Sequence, residues 1–86
     1  MKLSVVVPVF NEKNSIREIL SRVEAVDIPK EIVVVDDHST DGTREILKEI
    51  ESKDEFPSAR IIFSAVNRGK GAAIREGIRH AQGDFL

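Results

Sequence analysis

The chain has 86 residues, of which 41% are hydrophobic and 33% are charged, with a formal net charge of −2 at pH 7. This acidic balance argues against a general nucleic-acid binder, because such domains are usually basic. The absence of cysteine excludes disulfides, zinc–thiolate sites and thiol chemistry. No apolar run approaches the roughly 20 residues of a membrane-spanning helix, and the first segment, interrupted by Pro8, lacks the pattern of a signal peptide.

Three short apolar segments, each followed by a helical pattern, predict an alternation of strands and helices. Continuous β-branched runs are typical of strands that are buried on both faces. Strands are predicted at residues 3–7, 32–35 and 61–63. Apolar residues at helical spacing predict helices at residues 15–26, 43–51 and 72–82. Residues 84–86 have the character of the opening of a fourth strand.

This β-α-β-α-β-α-β order predicts an α/β fold with a parallel sheet and right-handed crossovers. The expected strand order is 3-2-1-4, with a switch point between strands 1 and 4. Ligands of such sheets bind at the carboxyl ends of the strands. Since the sequence stops at Leu86, we expect a sheet that is truncated at the start of its fourth strand.

Local signals predict where some elements begin and end. Pro8 is expected to stop strand 1, because it has no N–H for the ladder. Ser15 and Glu18 have the spacing of a capping box at the start of the first helix. Asp41 or Thr40 is expected to cap the second helix, since Asp-Gly-Thr before a helix is ordinary turn chemistry.

Strand 1 ends in the sequence PVFNE. Phe10 lies in the loop that follows, where it either packs against neighbouring residues or forms a wall against a planar base. Glu12 directly precedes a helix, and the helix dipole alone is sufficient to favour an acid there. A ligand contact and a purely structural role therefore both stay open for Glu12.

Strand 2 ends in Asp36 and Asp37. Adjacent strand residues point to opposite faces, so one aspartate is expected to anchor the loop while the other reaches into the cleft. A carboxylate at that place can accept hydrogen bonds from a base N–H or a ribose hydroxyl. The alternative is a pair of loop-capping aspartates. The switch-point rule favours Asp37 as the ligand contact and leaves Asp36 open.

Strand 3 is followed by a glycine-rich turn in which Gly69 and Gly71 flank Lys70. Glycine permits close approach of a ligand to the backbone, and a helix N-terminus with a nearby lysine suits a diphosphate. A flexible basic loop is the alternative. The turn does not fit the dinucleotide-binding fingerprint, which follows the first strand, or the P-loop, in which serine or threonine follows the lysine. A receiver domain is disfavoured because strand 3 ends without a carboxylate.

Taken together, VVVPVFNE, EIVVVDDHSTDGT and NRGKGAAIREGIRHAQGD resemble the amino-terminal half of a family 2 glycosyltransferase with the GT-A fold. Polyprenyl- and dolichyl-phosphate mannosyl- and glucosyltransferases are the nearest branch. The resemblance spans essentially all of residues 1–86. It implies the nucleotide-sugar-binding part of one incomplete, Rossmann-like three-layer domain. The implied reaction transfers a sugar from a UDP- or GDP-sugar to an acceptor, for which the branch suggests a polyprenyl phosphate.

The resemblance also implies roles for individual residues. Pro8, Phe10 and Glu12 would line the nucleoside pocket, Asp37 would bond the base or ribose with support from Asp36, and the turn of Gly69 and Lys70 would lie near the diphosphate. His38 departs from the usual residue at its position and is given no role. The hypothesis requires Phe10, Asp37 and Lys70 to converge around one cleft.

In this family the strand after Gly-Asp leads to an Asp-x-Asp motif that holds Mg²⁺ or Mn²⁺ against the diphosphate. That motif, the acceptor site and any catalytic base are expected beyond Leu86, so no catalytic or metal-binding residue is assigned here and the chain alone is expected to be inactive. A cytoplasmic protein, working at the cytoplasmic face of a membrane, is the implied setting. The alternative is a stand-alone, non-catalytic module that binds nucleotides or a partner protein.

Overall fold

The computed structural model describes residues 3–81 and the backbone of residues 84–85. Strands and helices alternate along the chain as the sequence predicts. The elements are β1 (Leu3–Val9), α1 (Ile16–Glu24), β2 (Lys30–Asp36), α2 (Thr43–Lys53), β3 (Ala59–Phe63), α3 (Lys70–His80) and β4 (Asp84–Phe85).

The four strands form one parallel sheet in the order β3-β2-β1-β4, which confirms the predicted order. β1 and β2 pair along their whole length, from Leu3 opposite Lys30 to Val9 opposite Asp36. β4 pairs with the first two residues of β1. The carboxyl ends of β1, β2 and β3 therefore lie side by side, and their three following loops occupy one edge of the sheet.

Pro8 lies inside β1 and does not end it, so that prediction was wrong. The backbone N–H of Leu3 bonds toward the β2 side, and the carbonyl of Val9 accepts from Asp37 on that side. Alternate residues of a strand turn their backbone groups in opposite directions, so the nitrogen of Pro8 faces away from β2. The N–H that proline lacks would not have bonded β2, and the strand continues to Val9.

Apolar side chains cover both faces of the sheet, which gives three layers. On one face, α1 and α2 pack on the sheet around Ile16, Leu20, Leu47 and Ile50, all at most 2% exposed. α3 packs on the other face. The buried residues there are Val33, Val35 and Ala73. The two faces alternate along β2, which explains why its sequence is continuously apolar.

Two of the predicted caps differ in the structure. The Ser15 hydroxyl makes no cap bond to the helix backbone and donates instead to the carboxylate of Glu12, at 2.9 Å, so the predicted capping box is not formed. The N-cap position of α2 is Gly42, with a left-handed φ of 106°. Asp41 still serves the helix start, because its Oδ1 accepts the N–H of Thr43 at 3.0 Å.

Helix α3 begins at Lys70, two residues earlier than predicted. The backbone of Gly69, the N-cap, has a φ of 90° and a ψ of 163°, a conformation that glycine adopts without strain. The lysine of the glycine-rich turn thus belongs to the first turn of a helix. Among residues 3–81, no helix is long and apolar enough to cross a bilayer.

Candidate functional site

An open cleft of about 340 Å³ lies at the carboxyl ends of β1 and β2, and we call it the strand-end cleft. Segments that are far apart in the sequence form its walls. Its lining residues are Pro8, Val9, Phe10, Glu12, Asp37, Asn67, Gly69, Lys70 and Ala73. Six of the seven predicted site residues are in this set, and Asp36 alone lies outside it. Phe10, Asp37 and Lys70 converge as the hypothesis requires, and their binding of a nucleotide stays a prediction.

The first wall is the loop after β1, which carries Phe10 with 46% of its surface exposed. Asn11 follows it in a left-handed conformation, with φ of 52°. The N–H of Asn11 donates to the Ser39 hydroxyl at 2.9 Å, and its side-chain oxygen accepts the N–H of Thr40 at 2.9 Å. Both bonds join the β1–α1 loop to the β2–α2 loop, so they hold the loop backbone next to Phe10.

A second pair of bonds joins the same two loops. The N–H of Glu12 donates to the hydroxyl of Thr43 at 3.0 Å, and that of Lys13 donates to Asp41 Oδ2 at 3.2 Å. Thr43 is fully buried and donates its own hydroxyl to Asp41 Oδ1. The Glu12 carboxylate is exposed and accepts only the Ser15 hydroxyl among the bonds found within residues 3–81.

Asp36 is fully buried and anchors the loops. Its Oδ1 accepts the hydroxyl of Ser39 at 2.5 Å, its Oδ2 accepts the Ser39 N–H at 3.3 Å, and Arg44 Nη1 lies 3.5 Å from Oδ2. These partners satisfy a buried charge that would otherwise be costly. The carboxylate does not line the cleft, and its support of a nucleotide site stays a prediction.

The end of β2 with Asp37 is the second wall of the cleft. Asp37 is 4% exposed and joins this wall to the turn that leads into α3. Its Oδ1 accepts the N–H of Arg68 at 2.8 Å, and its Oδ2 accepts the N–H of Gly69 at 2.9 Å. Both aspartates therefore hold loops, and only Asp37 also lines the cleft, so its contact with a ligand stays a prediction. Each Asp37 oxygen keeps a second lone pair, and the carboxylate lies on the cleft wall, where a ligand can donate to it.

The third wall is the turn that leads into α3. Gly69 and Lys70 line the cleft, and α3 presents free backbone N–H groups in its first turn, near the lysine ammonium. A helix N-terminus with an adjacent cation attracts phosphate groups. Sequence reasoning missed Asn67, whose side-chain oxygen accepts the Gly69 N–H at 3.2 Å and which also lines the cleft. Its place at the head of the glycine-rich turn was the signal available for it.

Hydrogen bonds hold the pKa of Asp41 below its ordinary value of 3.8, chiefly the bond from the Thr43 hydroxyl and then those from the N–H groups of Thr43 and Lys13. A carboxyl whose pKa is lowered on folding stabilises the protein above its ordinary pKa, and this contribution is lost as pH falls through the folded-state pKa. The Asp41→Asn variant is therefore expected to be less stable at pH 7, with a deficit that shrinks below about pH 4.

Denaturant unfolding from pH 7 to pH 2.5 measures this deficit. Glu55→Gln is a useful comparison, since the pKa of Glu55 is also lowered, mainly by its bond from Arg17, at a place remote from the cleft. A deficit of Asp41→Asn that stays constant down to pH 2.5 would contradict the assignment of this carboxylate to the helix start.

Within residues 3–81, no group of three or more histidine, aspartate or glutamate side chains could hold a metal ion. Both aspartates at the end of β2 already accept hydrogen bonds from the loops. The described residues therefore do not form a divalent-metal site by themselves. Residues 1–86 contain no Asp-x-Asp sequence, so the motif that the resemblance implies stays an expectation.

Comparison with known proteins agrees with this fold. The family described as glycosyl transferase family 2 matches residues 4–86. Undecaprenyl-phosphate 4-deoxy-4-formamido-L-arabinose transferase of Edwardsiella ictaluri is 38% identical over 90 residues, which cover 98% of this chain and 27% of that protein. The chain spans about a quarter of the length of the curated relatives that it matches.

Two solved structures resemble the chain in three dimensions. The mannosyltransferase PcManGT of Pyrobaculum calidifontis, in complex with GDP-Man and Mn²⁺, superposes with a TM-score of 0.83 and 33% identity, covering 94% of this chain and 24% of its own. TarS 1–349 of S. aureus, in complex with UDP, gives a TM-score of 0.80 and 31% identity, covering 100% of this chain and 27% of its own. The architecture is that of the GT-A glycosyltransferases, and the chain belongs to glycosyl transferase family 2.

Proposed function

We propose that this chain is the nucleotide-sugar-binding part of a glycosyltransferase that transfers a sugar from a UDP- or GDP-sugar to an acceptor. The observation that carries the proposal is the convergence of Phe10, Asp37 and Lys70 on one cleft at the carboxyl ends of the strands. Membership of the family and the GDP-Man and UDP of two structural neighbours support it. The proposed nucleotide-binding residues are Pro8, Phe10, Glu12, Asp37, Gly69 and Lys70, which line the cleft. Asp36 is fully buried outside the lining, and we propose that it supports the site through the loops that it holds.

Each wall of the cleft offers a different kind of contact. The exposed Phe10 ring gives a nucleobase an aromatic surface on which to stack. Asp37, fixed by two backbone N–H groups, can accept from a base N–H or a ribose hydroxyl with its second lone pairs. Lys70 and the first turn of α3 offer positive charge to the diphosphate. The proposed contacts would therefore follow the nucleotide from its base through its ribose to its diphosphate.

In the proposed reaction, an acceptor oxygen attacks the anomeric carbon of the sugar. A bond forms from that oxygen to the carbon, the bond from the carbon to the diphosphate breaks, and the nucleoside diphosphate leaves with the bonding electrons. The residues of this chain bind and orient the leaving group. Mg²⁺ or Mn²⁺, with ligands outside the described residues, is proposed for the complete protein by analogy with the Mn²⁺ of PcManGT.

The acceptor is proposed to be a polyprenyl phosphate, because a relative with 38% identity is named as an undecaprenyl-phosphate transferase. Such an acceptor is anchored in a bilayer, so the complete protein would work at the cytoplasmic face of a membrane. The nucleotide site and the acceptor site are separate parts of the proposal, since none of the described cleft residues distinguishes one acceptor from another.

Titration of the intact protein with UDP, UDP-glucose and GDP-mannose, in the presence of Mg²⁺ or Mn²⁺, tests the nucleotide site. Phe10→Ala is expected to weaken binding about ten-fold or more, because base–aromatic stacking contributes roughly 1–3 kcal/mol. The matched control is Val66→Ala, a truncation of another exposed apolar side chain, on the neighbouring loop but outside the cleft lining.

Equal nucleotide affinities of Phe10→Ala and Val66→Ala would contradict the assignment of the cleft as the nucleotide site. The absence of nucleotide binding by the unsubstituted protein would contradict it as well. Binding without any transfer to a lipid phosphate or sugar acceptor would favour the non-catalytic module instead.

A further inference from the structure

Arg44, on the first turn of α2, contacts the ends of two strands. Its Nη1 donates to the backbone carbonyl of Ser64 at 2.8 Å, just after β3, and lies 3.5 Å from Oδ2 of the buried Asp36 at the end of β2. Its guanidinium carbon is 5.1 Å from the centre of the Phe63 ring. The Arg44 side chain is only 21% exposed, so these contacts are partly shielded from water.

A histidine in the β2–α2 loop adds a further contact. Nδ1 of His38 lies 3.1 Å from Arg44 Nη1. A guanidinium can only donate, so Nδ1 of His38 is the acceptor in this contact. The backbone of His38 is left-handed, with a φ of 60°, and this turn lets the ring reach the arginine.

The contacts of Arg44 continue to both walls of the strand-end cleft. Toward the third wall, Ser64 begins the loop that leads to Gly69, and its own N–H donates to the Asp36 carbonyl at 2.9 Å. Toward the first wall, Asp36 holds the hydroxyl of Ser39, which accepts the N–H of Asn11 beside Phe10. The Arg44–Asp36 ion pair, these hydrogen bonds and the loop backbone from Ser64 to Gly69 therefore connect the two walls.

We propose that Arg44 is a positioning residue for the strand-end cleft, which sets the separation of its Phe10 and Gly69 walls through Asp36 and Ser39. This inference deepens the proposed function, because the cleft that it shapes is the nucleotide site. Arg44 does not line the cleft, so it acts through other residues. Nη1 of Arg44 makes all three polar contacts, with hydrogen-bond distances to the Ser64 carbonyl and the His38 ring and an ion pair with Asp36 at 3.5 Å. The planar guanidinium also lies 5.1 Å from the centre of the Phe63 ring, and a lysine ammonium would not reproduce that stacked contact.

The experiment compares Arg44→Gln and Arg44→Lys with Lys48→Gln in the intact protein. Lys48 is a matched control, because it lies one turn further along α2 with its ammonium 6.0 Å from the centre of the same Phe63 ring. Backbone amide shifts of Asn11 and Gly69 are recorded by NMR without ligand. Affinities for UDP and GDP-mannose are measured by calorimetry, and melting temperatures are measured in parallel.

Arg44→Gln is expected to shift both amides and to weaken nucleotide binding roughly ten-fold, the equivalent of about 1.4 kcal/mol. Arg44→Lys should lie between Arg44→Gln and the unsubstituted protein in both measurements, and Lys48→Gln should leave both unchanged. Should Arg44→Gln fail to fold, since it leaves the buried Asp36 without its cation, Arg44→Lys still gives the shifts of the two amides.

A shift at Gly69 with none at Asn11 would overturn the coupling of the two walls, and so would equal effects of Arg44→Lys and Lys48→Gln. Absence of nucleotide binding by the unsubstituted protein would instead overturn the proposed function, while the amide shifts still decide whether Arg44 positions the walls.

Discussion

Replacing Asp37 by asparagine is expected to lower the free energy of unfolding by about 3 kcal/mol, because hydrogen bonds to a charged group contribute roughly 1.5–3 kcal/mol each. The carboxylate is 4% exposed and each of its oxygens accepts one backbone N–H, from Arg68 and Gly69. An asparagine has one oxygen, so its NH₂ group would face one of these N–H groups with no acceptor between them. The β3–α3 loop should then detach from the end of β2.

Denaturant unfolding measures the loss of stability, and hydrogen exchange at the Gly69 amide measures the release of the loop. The matched control is Asp27→Asn, the same substitution at an exposed residue of the α1–β2 connection. Protection of the Gly69 amide that is equal in Asp37→Asn and Asp27→Asn would show that the carboxylate does not hold the turn. Asp37→Asn, but not Asp27→Asn, is also expected to lose nucleotide affinity. That loss does not distinguish a direct contact of Asp37 with the nucleotide from its role in holding the β3–α3 loop.

A methyl group added at Gly77 is expected to cost about 2–3 kcal/mol of stability, within the range for overpacking a core. Gly77 is buried where α3 crosses β1, and a Cβ there would overlap Cγ1 of Val6 and approach Cγ2 of Val35 to 3.3 Å. Both valine side chains are short, Val35 is buried and Val6 is half-buried, so the helix α3 itself is expected to move outward. That movement would also displace Lys70 and the turn that lines the cleft.

The matched control for Gly77→Ala is Gly71→Ala on the same helix, where the nearest atom to an added Cβ is the end of the flexible Arg75 side chain at 3.5 Å. This control should be neutral or stabilising, since alanine favours a helix more than glycine does. Combining Gly77→Ala with Val6→Ala removes the obstructing methyl groups and should recover part of the stability. A thermal melt of Gly77→Ala equal to that of Gly71→Ala would contradict the close packing of α3 on β1.

The order of the elements and of the strands could be predicted because both follow from local pattern and from general rules of chain connection. Continuous apolar runs mark the strands, and right-handed crossovers leave few ways to connect them. The end of β1 could not be predicted, since the cost of Pro8 in a strand depends on which neighbour its nitrogen faces. The first cap failed for a similar reason, because Ser15 bonds a glutamate in the preceding loop that competes with the helix backbone.

The candidate site was predictable where polar residues directly follow strands, since parallel strands bring their carboxyl ends to one edge. This rule alone places Asp37 and Lys70 near each other. It says nothing of Arg44, Ser39 or Thr43, whose partners are up to 31 residues away in the sequence and whose residue types are ordinary in loops and helix starts. Their roles depend on side-chain contacts between loops, which only the folded structure shows.

The three loops around the cleft are joined to one another by hydrogen bonds between side chains and backbone, with every buried side-chain polar atom among the described residues paired. When a mobile loop becomes ordered on binding, conformational entropy is lost, and this loss weakens the binding free energy. Here that cost is met during folding. A small molecule that enters this cavity therefore binds to loops that are already ordered. Its binding free energy is set mainly by its contacts, because little conformational entropy is lost in ordering the walls.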